Sequence, residues 1–313
     1  GKSYAGESIP VAIGIDLNYF SNRLDVCYTF DKHDLGKLLP SRMMNSHKGS
    51  YGKVLMITGS PGMAGAAFLS TYTVGAGLVQ IYTASENRLA LQELLPEAII
   101  SGYDSYDDNQ LSRLLDWADV VCIGCGLGMG QISEKILKNV LKNVSCPCVI
   151  DADGLNLLNG KIELLNQCRA PVILTPHMKE MSRLTGWSID KIMEDRFQAL
   201  DQIIKQSGPD RKSSIICVLK DSRTVVAQTN RQKFVNLAGN NSMAKGGSGD
   251  VLAGTIAGLL AQHMAPFEAA AVGVFLHACG GDEAKKSKGS YSVLARDLIQ
   301  GMADAMKNAK ECR

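Results

Sequence analysis

KVLMITGSPGMAGAAFLSTYTVGAGLVQIYT, residues 53–83, decides the fold. No charged side chain occurs between Lys53 and Glu86. A helical membrane span needs only about 20 apolar residues, so the run is long enough for one. Pro61, the glycines at 59, 62, 65, 75 and 77, and the many Ser and Thr residues speak against it. The stretch instead divides into an apolar run at 54–58, the turn Gly59-Ser60-Pro61-Gly62, a helix from Ala64, and a second apolar run at 78–83. Strand, turn, helix and strand form a βαβ unit, and strands apolar on both faces are buried on both.

The same alternation continues outward. Apolar runs at 99–101, 120–124, 148–151, 172–175 and 215–219 read as further strands, with 225–227 and 233–236 as a polar-edged hairpin. The expected fold is a three-layer α/β architecture, a mostly parallel central sheet flanked by helices. Ligands in such sheets bind beyond the carboxyl ends of the strands. The loops at 59–65, 124–130, 151–156, 175–180 and 220–224 are polar or glycine-rich, and each follows a strand. They are expected to converge on one edge. Residues 1–40 lack the alternation, with apolar runs at 11–15 and 26–30 and the charged turn Asp31-Lys32-His33-Asp34. They read as an N-terminal extension packed on a main domain at 41–313.

Composition sets the class. At 313 residues and 45% hydrophobic, the chain can bury one large core. A formal charge of +2 without blocks of like charge gives no reason to expect nucleic-acid or membrane partners. Nine cysteines lie scattered without metal-ligand spacing, including Cys122, Cys125, Cys146 and Cys148. They read as reduced, buried small hydrophobes, and with no signal-peptide pattern the expectation is a cytoplasmic protein.

The richest chemistry lies in residues 239–254, GNNSMAKGGSGDVLAG. Gly246, Gly247, Ser248 and Gly249 deliver Asp250 to the start of an apolar helix at 251–261. A glycine turn leaves N–H groups bare, and a helix N-terminus adds about half a positive charge, so the pair holds a phosphate. Asp250 is either an N-cap or a base that takes a proton from the atom attacking that phosphate. The glycine run, the apolar helix, and the small residues Ala253, Gly254, Ala257 and Gly258, which permit close packing on the sheet, favour the base.

Other loops offer candidates of two kinds. Gly124, Gly126 and Gly128 alternate without dinucleotide-fingerprint spacing, and read as a tight turn or a backbone clamp for a ligand. Asp151 and Asp153 can hold Mg²⁺ through water or order a loop, and one of them can cap the helix at 155–158. His177 and Glu180 share a helix face, with Glu180 placed for a capping box with Thr175 or a neighbour. Lys220 is a candidate phosphate contact in a turn that otherwise reads as surface. The P-loop pattern is absent.

With these motifs in order, the chain resembles the ADP/ATP-dependent NAD(P)H-hydrate dehydratases of the ribokinase-like superfamily. The matching stretches begin at His47, Gly59, Gly75, Gly126, Asp151, Leu174, Leu219 and Gly239, and span roughly 45–300. The resemblance implies a ribokinase-like fold and an enzyme that restores NADH and NADPH from their ring hydrates, a lyase reaction. ADP or ATP is the implied co-substrate, with Mg²⁺, to which it assigns no ligands. It maps the hydrated dinucleotide onto Ala66, Gly128, His177 and Asp250, with Asp250 catalytic. It maps the nucleotide onto Lys220, Asp221, Ser222, Arg223, Thr224 and Gly249, and an anion hole onto Gly246, Gly247, Ser248 and Gly249. Asp151, Asp153, Glu180 and Asn240 are supporting candidates.

The resemblance also implies a homo-oligomer, a tetramer, and allows residues 1–40 to be the tail of a fused epimerase domain or a vector-derived segment. Four residues, in three places, depart from the family pattern. His177-Met-Lys-Glu180 replaces His-Pro-Gly-Glu, Lys220-Asp221 replaces Lys-Gly, and Lys245 stands where Thr is common. The last change can add a phosphate contact. A superfamily kinase that phosphorylates a vitamin-precursor alcohol is the alternative reading, and a nucleotide-binding protein without activity is a third.

Overall fold

The computed structural model describes residues 13–20, 23–73, 75–206 and 213–311. Its strands are β1 (Lys53–Ile57), β2 (Leu78–Ala84), β3 (Ile99–Tyr103), β4 (Val120–Ile123), β5 (Cys148–Ile150), β6 (Val172–Leu174), β7 (Ile215–Leu219), β8 (Val225–Gln228) and β9 (Phe234–Val235). They form one sheet in the order β3-β2-β1-β4-β5-β6-β7-β8-β9. The pairs from β3 through β7 are parallel, and β8 and β9 join antiparallel. The hairpin expected to be polar-edged is instead largely buried at Val225, Val226, Ala227 and Phe234, because helices cover both its faces.

Side-chain alternation along each strand sends neighbours to opposite faces. Val54 and Met56 join one core, while Leu55 and Ile57 join the other. The first core lies under α1 (Leu35–Leu38), α2 (Ala64–Tyr72), α3 (Arg88–Leu94), α10 (Ser248–Ala261), α11 (Pro266–Ser292) and α12 (Ala295–Glu311). The second lies under α4 (Asp108–Trp117), α5 (Gln131–Asn143), α6 (Asp153–Leu157), α7 (Met178–Thr185), α8 (Ile189–Glu194) and α9 (Arg196–Gln206). This is the expected three-layer α/β fold.

The chain runs from β1 through β2 to β3, then returns to place β4 on the other side of β1. That reversal makes a switch point between β1 and β4, where open α/β sheets form a ligand crevice. Parallel pairing puts the loops after β1, β4, β5, β6 and β7 on one edge, as expected.

α10 is buried from Val251 to Ala261. At Gly254 the close approach is to α2 rather than to the sheet. A Cβ at Gly254 would sit 1.9 Å from the Ser70 carbonyl oxygen.

Part of the N-terminal segment packs on this body. Tyr28 bridges Phe234, and both rings join Phe30 and Phe275 in one aromatic group. Residues 11 and 12 of the apolar run at 11–15 lie outside the described residues, and Ile13 and Ile15 are exposed.

Candidate active site

Asp151 follows β5 and is 1% exposed. A buried carboxylate needs partners. Its Oδ1 accepts hydrogen bonds from Thr175 Oγ1 at 2.7 Å and from Lys220 Nζ at 2.6 Å. The Cys125 thiol lies 3.9 Å from Oδ2. Gly124, at φ +124°, makes room for this loop, since a Cβ there would meet the Asp151 carbonyl oxygen at 2.0 Å.

Lys220 Nζ also lies 4.0 Å from Glu180 Oε2. Burial alone would lower the Lys220 pKa, but Asp151 and Glu180 override it and the net shift is upward. Lys220 therefore stays an ammonium held between two carboxyl groups.

Neither Asp151 nor Asp153 caps a helix through its side chain. Ala152 occupies the N-cap position of α6, at φ +47°. Asp153 instead orders the glycine loop, accepting from the Gly128 N–H at 2.8 Å and from Asn156 Nδ2 at 3.4 Å. The Gly128 amide is thus already bonded, and any clamp made by this turn must use its other groups.

His177 and Glu180 form the capping box of α7. His177 Nδ1 accepts from the backbone N–H groups of Lys179 and Glu180 at 3.1 and 3.2 Å. Glu180 Oε2 accepts from the His177 N–H at 2.8 Å. The reciprocal partner of Glu180 is therefore His177 and not Thr175, whose hydroxyl is committed to Asp151. Burial raises Glu180 to about 7, with Asp151 adding to the shift and Lys220 opposing it. Burial and Lys220 lower the His177 pKa, so the half-exposed ring stays neutral with Nδ1 as acceptor.

Asp250 enters from the opposite side, on α10. Gly247 is the N-cap residue at φ +90°, so Asp250 is the third residue of the helix and not its cap. The Ser248 N–H donates back to the Lys245 carbonyl at 3.3 Å and is not free for the expected anion hole, while the Gly249 and Asp250 N–H groups have no intrahelical acceptor. A Cβ at Gly249 would lie 3.2 Å from Lys220 Nζ and 3.7 Å from Asp151 Oδ2, so this helix end sits directly over the ion pair. Burial, then the charge of Asp151, raise the Asp250 carboxyl to about 6. Ligand atoms of Cys125, Asp151 and Asp250 lie within 4.8 Å of one another.

The remaining candidates frame this centre. Ala66 lies against the glycine loop, 2.8 Å from where a Cβ at Gly126 would be. Asn240 accepts from Ser242 and donates to the Gly281 carbonyl and Asp282, tying the loop before α10 to α11. Ser248 Oγ donates to the Met243 carbonyl at 2.8 Å, and Gly246 faces open space.

In the turn after β7, Asp221 pairs with Arg196 at 2.8 Å, Arg223 donates to the Leu237 carbonyl, Ser222 is exposed, and Thr224 closes the turn on the Asp221 carbonyl. Of these five residues, Lys220 alone joins the carboxyl cluster. Lys245 is exposed and bonds the Tyr291 carbonyl at 3.4 Å.

Two residues escaped the sequence reading. Cys125 looked like a small hydrophobe in an apolar run; its position between two glycines at a strand's carboxyl end was the available signal. His277, buried on α11, is lowered to about 4 by burial and by Lys220, and its Nε2 has no hydrogen-bond partner. Nothing local in α11 marks it. Six of the eight described cysteines are buried as expected, while Cys27 is exposed and Cys146 half-buried; all eight are free thiols.

The profile of the NAD(P)H-hydrate dehydratase family matches residues 54–303. The chain belongs to that family. It is 38% identical over 286 residues to a bifunctional NAD(P)H-hydrate repair enzyme of Moorella thermoacetica, covering 87% of this chain and 52% of that protein. The chain thus spans about half the length of the bifunctional relatives it matches. An ADP-dependent (S)-NAD(P)H-hydrate dehydratase of Neisseria meningitidis is 35% identical, with 86% of this chain and 89% of that protein covered. Among solved structures, the ADP/ATP-dependent NAD(P)H-hydrate dehydratase of Bacillus subtilis, co-crystallised with ATP and Mg²⁺, superposes with a TM-score of 0.76. That pair is 27% identical over 92% of this chain and all of the other.

Proposed function

We propose that this chain dehydrates the ring hydrates of NADH and NADPH at the expense of ADP or ATP. The observation that carries the reading is the Asp250 carboxyl, held at the N-terminus of α10 directly above the Lys220–Asp151 pair. Hydroxide is a poor leaving group, so the ring hydroxyl is first phosphorylated. Asp250 takes the hydroxyl proton as the ring oxygen bonds phosphorus and the terminal phosphoryl group leaves the nucleotide. The amides of Gly246, Gly247 and Gly249 stabilise charge on the transferring group, with the Ser248 amide bonded to the Lys245 carbonyl. The ring nitrogen's lone pair then expels phosphate, and loss of a proton from the adjacent carbon restores the dihydronicotinamide.

Lys220 stands as the phosphate contact of the proposal, oriented by Asp151 and Glu180. His177, Ala66 and the glycine loop at the β1–β4 switch point are assigned to the dinucleotide. For Mg²⁺, the carboxylate oxygens of Asp151 and Asp250 suit a hard cation, while the Cys125 thiol beside them does not. Asp151 and Asp250 are the residues that would hold the ion beside the nucleotide. When bound, Mg²⁺ would neutralise phosphate charge. Among the described residues no helix is long and apolar enough to cross a membrane. A cytoplasmic location, a homo-oligomeric assembly, and the division of the chain at residue 40 complete the proposal.

The family names favour this reading over the superfamily kinase. The two are separated by the fate of phosphorus, read by phosphorus NMR of the reaction mixture. Dehydration releases one inorganic phosphate for each ring restored, whereas a kinase leaves a stable phosphate ester on the acceptor.

A further inference from the structure

Arg183 on α7 is exposed, and its Nη1 donates to Asn156 Oδ1 at 2.7 Å. Asn156 in turn donates to Asp153 Oδ1 at 3.4 Å, and Asp153 Oδ2 accepts from the Gly128 N–H at 2.8 Å. The guanidinium is thereby tied through α6 to the glycine loop at the β1–β4 switch point. One N–H of its fork makes that tie and fixes the group in place. Its other donors have no protein acceptor among the described residues.

Lys179 stands one turn nearer the start of α7, at i,i+4 to Arg183 and on the same face. It too is exposed, and no carboxylate among the described residues pairs with either cation. Like charges at this spacing destabilise a helix, and a cation in the first turn also opposes the helix dipole. An anion bound beside both would remove that penalty.

The two cations lie beside the proposed dinucleotide subsite. His177 is the N-cap of α7 and is bridged through its backbone to Lys220, so the helix starts at the phosphoryl-transfer centre. Arg183 is six residues on, about 9 Å along the axis at 1.5 Å per residue. Helical side chains lean toward the N-terminus, so the guanidinium reaches back toward His177. Its charge acts on both His177 and Glu180, after burial, Lys220 and Asp151. In a dinucleotide the first phosphate is one ribose removed from the nicotinamide ring.

We infer that Arg183, with Lys179 beside it, binds a phosphate group of the dinucleotide and sets the affinity for the hydrated substrate. The inference rests on the proposed reaction, since the hydrate is what brings a phosphate to this rim. Guanidinium takes phosphate through paired N–H bonds, and ammonium takes it as a point charge. Two groups carry that chemistry: the pyrophosphate of both hydrates, and the 2′-phosphate of the NADPH hydrate alone.

Steady-state kinetics of ring restoration, with each of the two hydrates, compare the wild type with Arg183→Gln, Arg183→Lys and Lys179→Gln. Arg183→Gln is expected to raise the hydrate KM about tenfold or more, leaving kcat and the nucleotide KM within about twofold. Arg183→Lys should recover part of the loss, and Lys179→Gln should raise the hydrate KM about threefold. A rise for both hydrates assigns the pyrophosphate, and a rise for the NADPH hydrate alone assigns the 2′-phosphate. Added salt should raise the wild-type KM and narrow its gap from Arg183→Gln.

An unmoved hydrate KM contradicts the inference. So does a loss of kcat or Tm without a KM change, or an equal rise in the nucleotide KM, because Arg183 would then only brace α6. Should Arg183→Gln fail to fold, Arg183→Lys and Lys179→Gln decide by the same criterion. An active wild type with unmoved variants sinks this inference alone. A wild type that restores no ring with either nucleotide sinks the proposed reaction and the inference with it.

Discussion

Lys220 Nζ donates to Asp151 Oδ1 at 2.6 Å, joining the end of β7 to the end of β5 beneath the N-terminus of α10. Asp151 is almost fully buried and Lys220 is 17% exposed, so each charge depends on the other.

Removing one partner should therefore cost more than removing both. Lys220→Met leaves Asp151 buried without its cation and is expected to destabilise the fold by about 3–5 kcal/mol. Asp151→Asn combined with Lys220→Met should recover part of that loss. Chemical denaturation of the two single variants and the double variant gives the coupling directly, and strictly additive losses would contradict a mutually dependent pair.

Asp250→Asn should lower kcat by about 10²–10⁴-fold, the range of a positioned general base, with nucleotide affinity changed little. The same variant should stabilise the ligand-free protein at pH 8 by on the order of 1–2 kcal/mol, because it removes a carboxylate that burial disfavours. Activity and melting measurements on one preparation test both halves.

Activity and stability are expected to move in opposite directions with pH. Asp250, raised to about 6, must be ionised to act as base, so turnover should climb as pH rises through that value. Glu180 is raised to about 7 from 4.5, so the folded state holds a proton that the unfolded chain releases. Its stabilising contribution is complete below the unfolded pKa and is lost as pH rises through the folded one. Melting temperature should fall between pH 5 and pH 8 in the wild type and fall less in Glu180→Gln.

Gly249→Ala places a methyl group 3.2 Å from Lys220 Nζ, where a nucleotide phosphate is proposed to lie. Nucleotide Kd is expected to rise by about tenfold or more, equivalent to ~1.4 kcal/mol, while the fold survives. Gly247→Ala behaves differently. At φ +90°, with a Cβ only 2.4 Å from Leu69 Cδ1, it should lower stability as well as activity. Calorimetric titration of both variants with ADP and ATP separates the two effects.

Much of the fold was legible because its strands are buried on both faces. Runs such as 54–58 and 215–219 are apolar without interruption, and the structure places β1 and β7 within one residue of them. The edge hairpin was legible as strands, but its burial was not, since the polar residues beside it gave no sign of the helices that cover it.

In the site, Asp250, His177, Glu180 and Lys220 were legible as chemistry-bearing residues after strands or glycine turns. Their partnerships were not. Lys220 and Asp151 are 69 residues apart, and no local pattern reveals an ion pair formed across β6 by the ends of β5 and β7. Capping by His177 was hidden for a related reason, because imidazole substitutes there for the hydroxyl or carboxylate that usually marks an N-cap. Cys125 is buried and free as read, but its contact with Asp151 was not legible, because a thiol is both a small hydrophobe and a weak donor.

Restoration of the reduced-nicotinamide absorbance band, on mixing the protein with hydrated NADH, Mg²⁺ and either ADP or ATP, tests the central claim most directly. Absorbance should return with at least one of the two nucleotides, stay flat without nucleotide, and stay flat with Asp250→Asn. No return with either nucleotide, alongside accumulation of a stable phosphorylated alcohol, would contradict it.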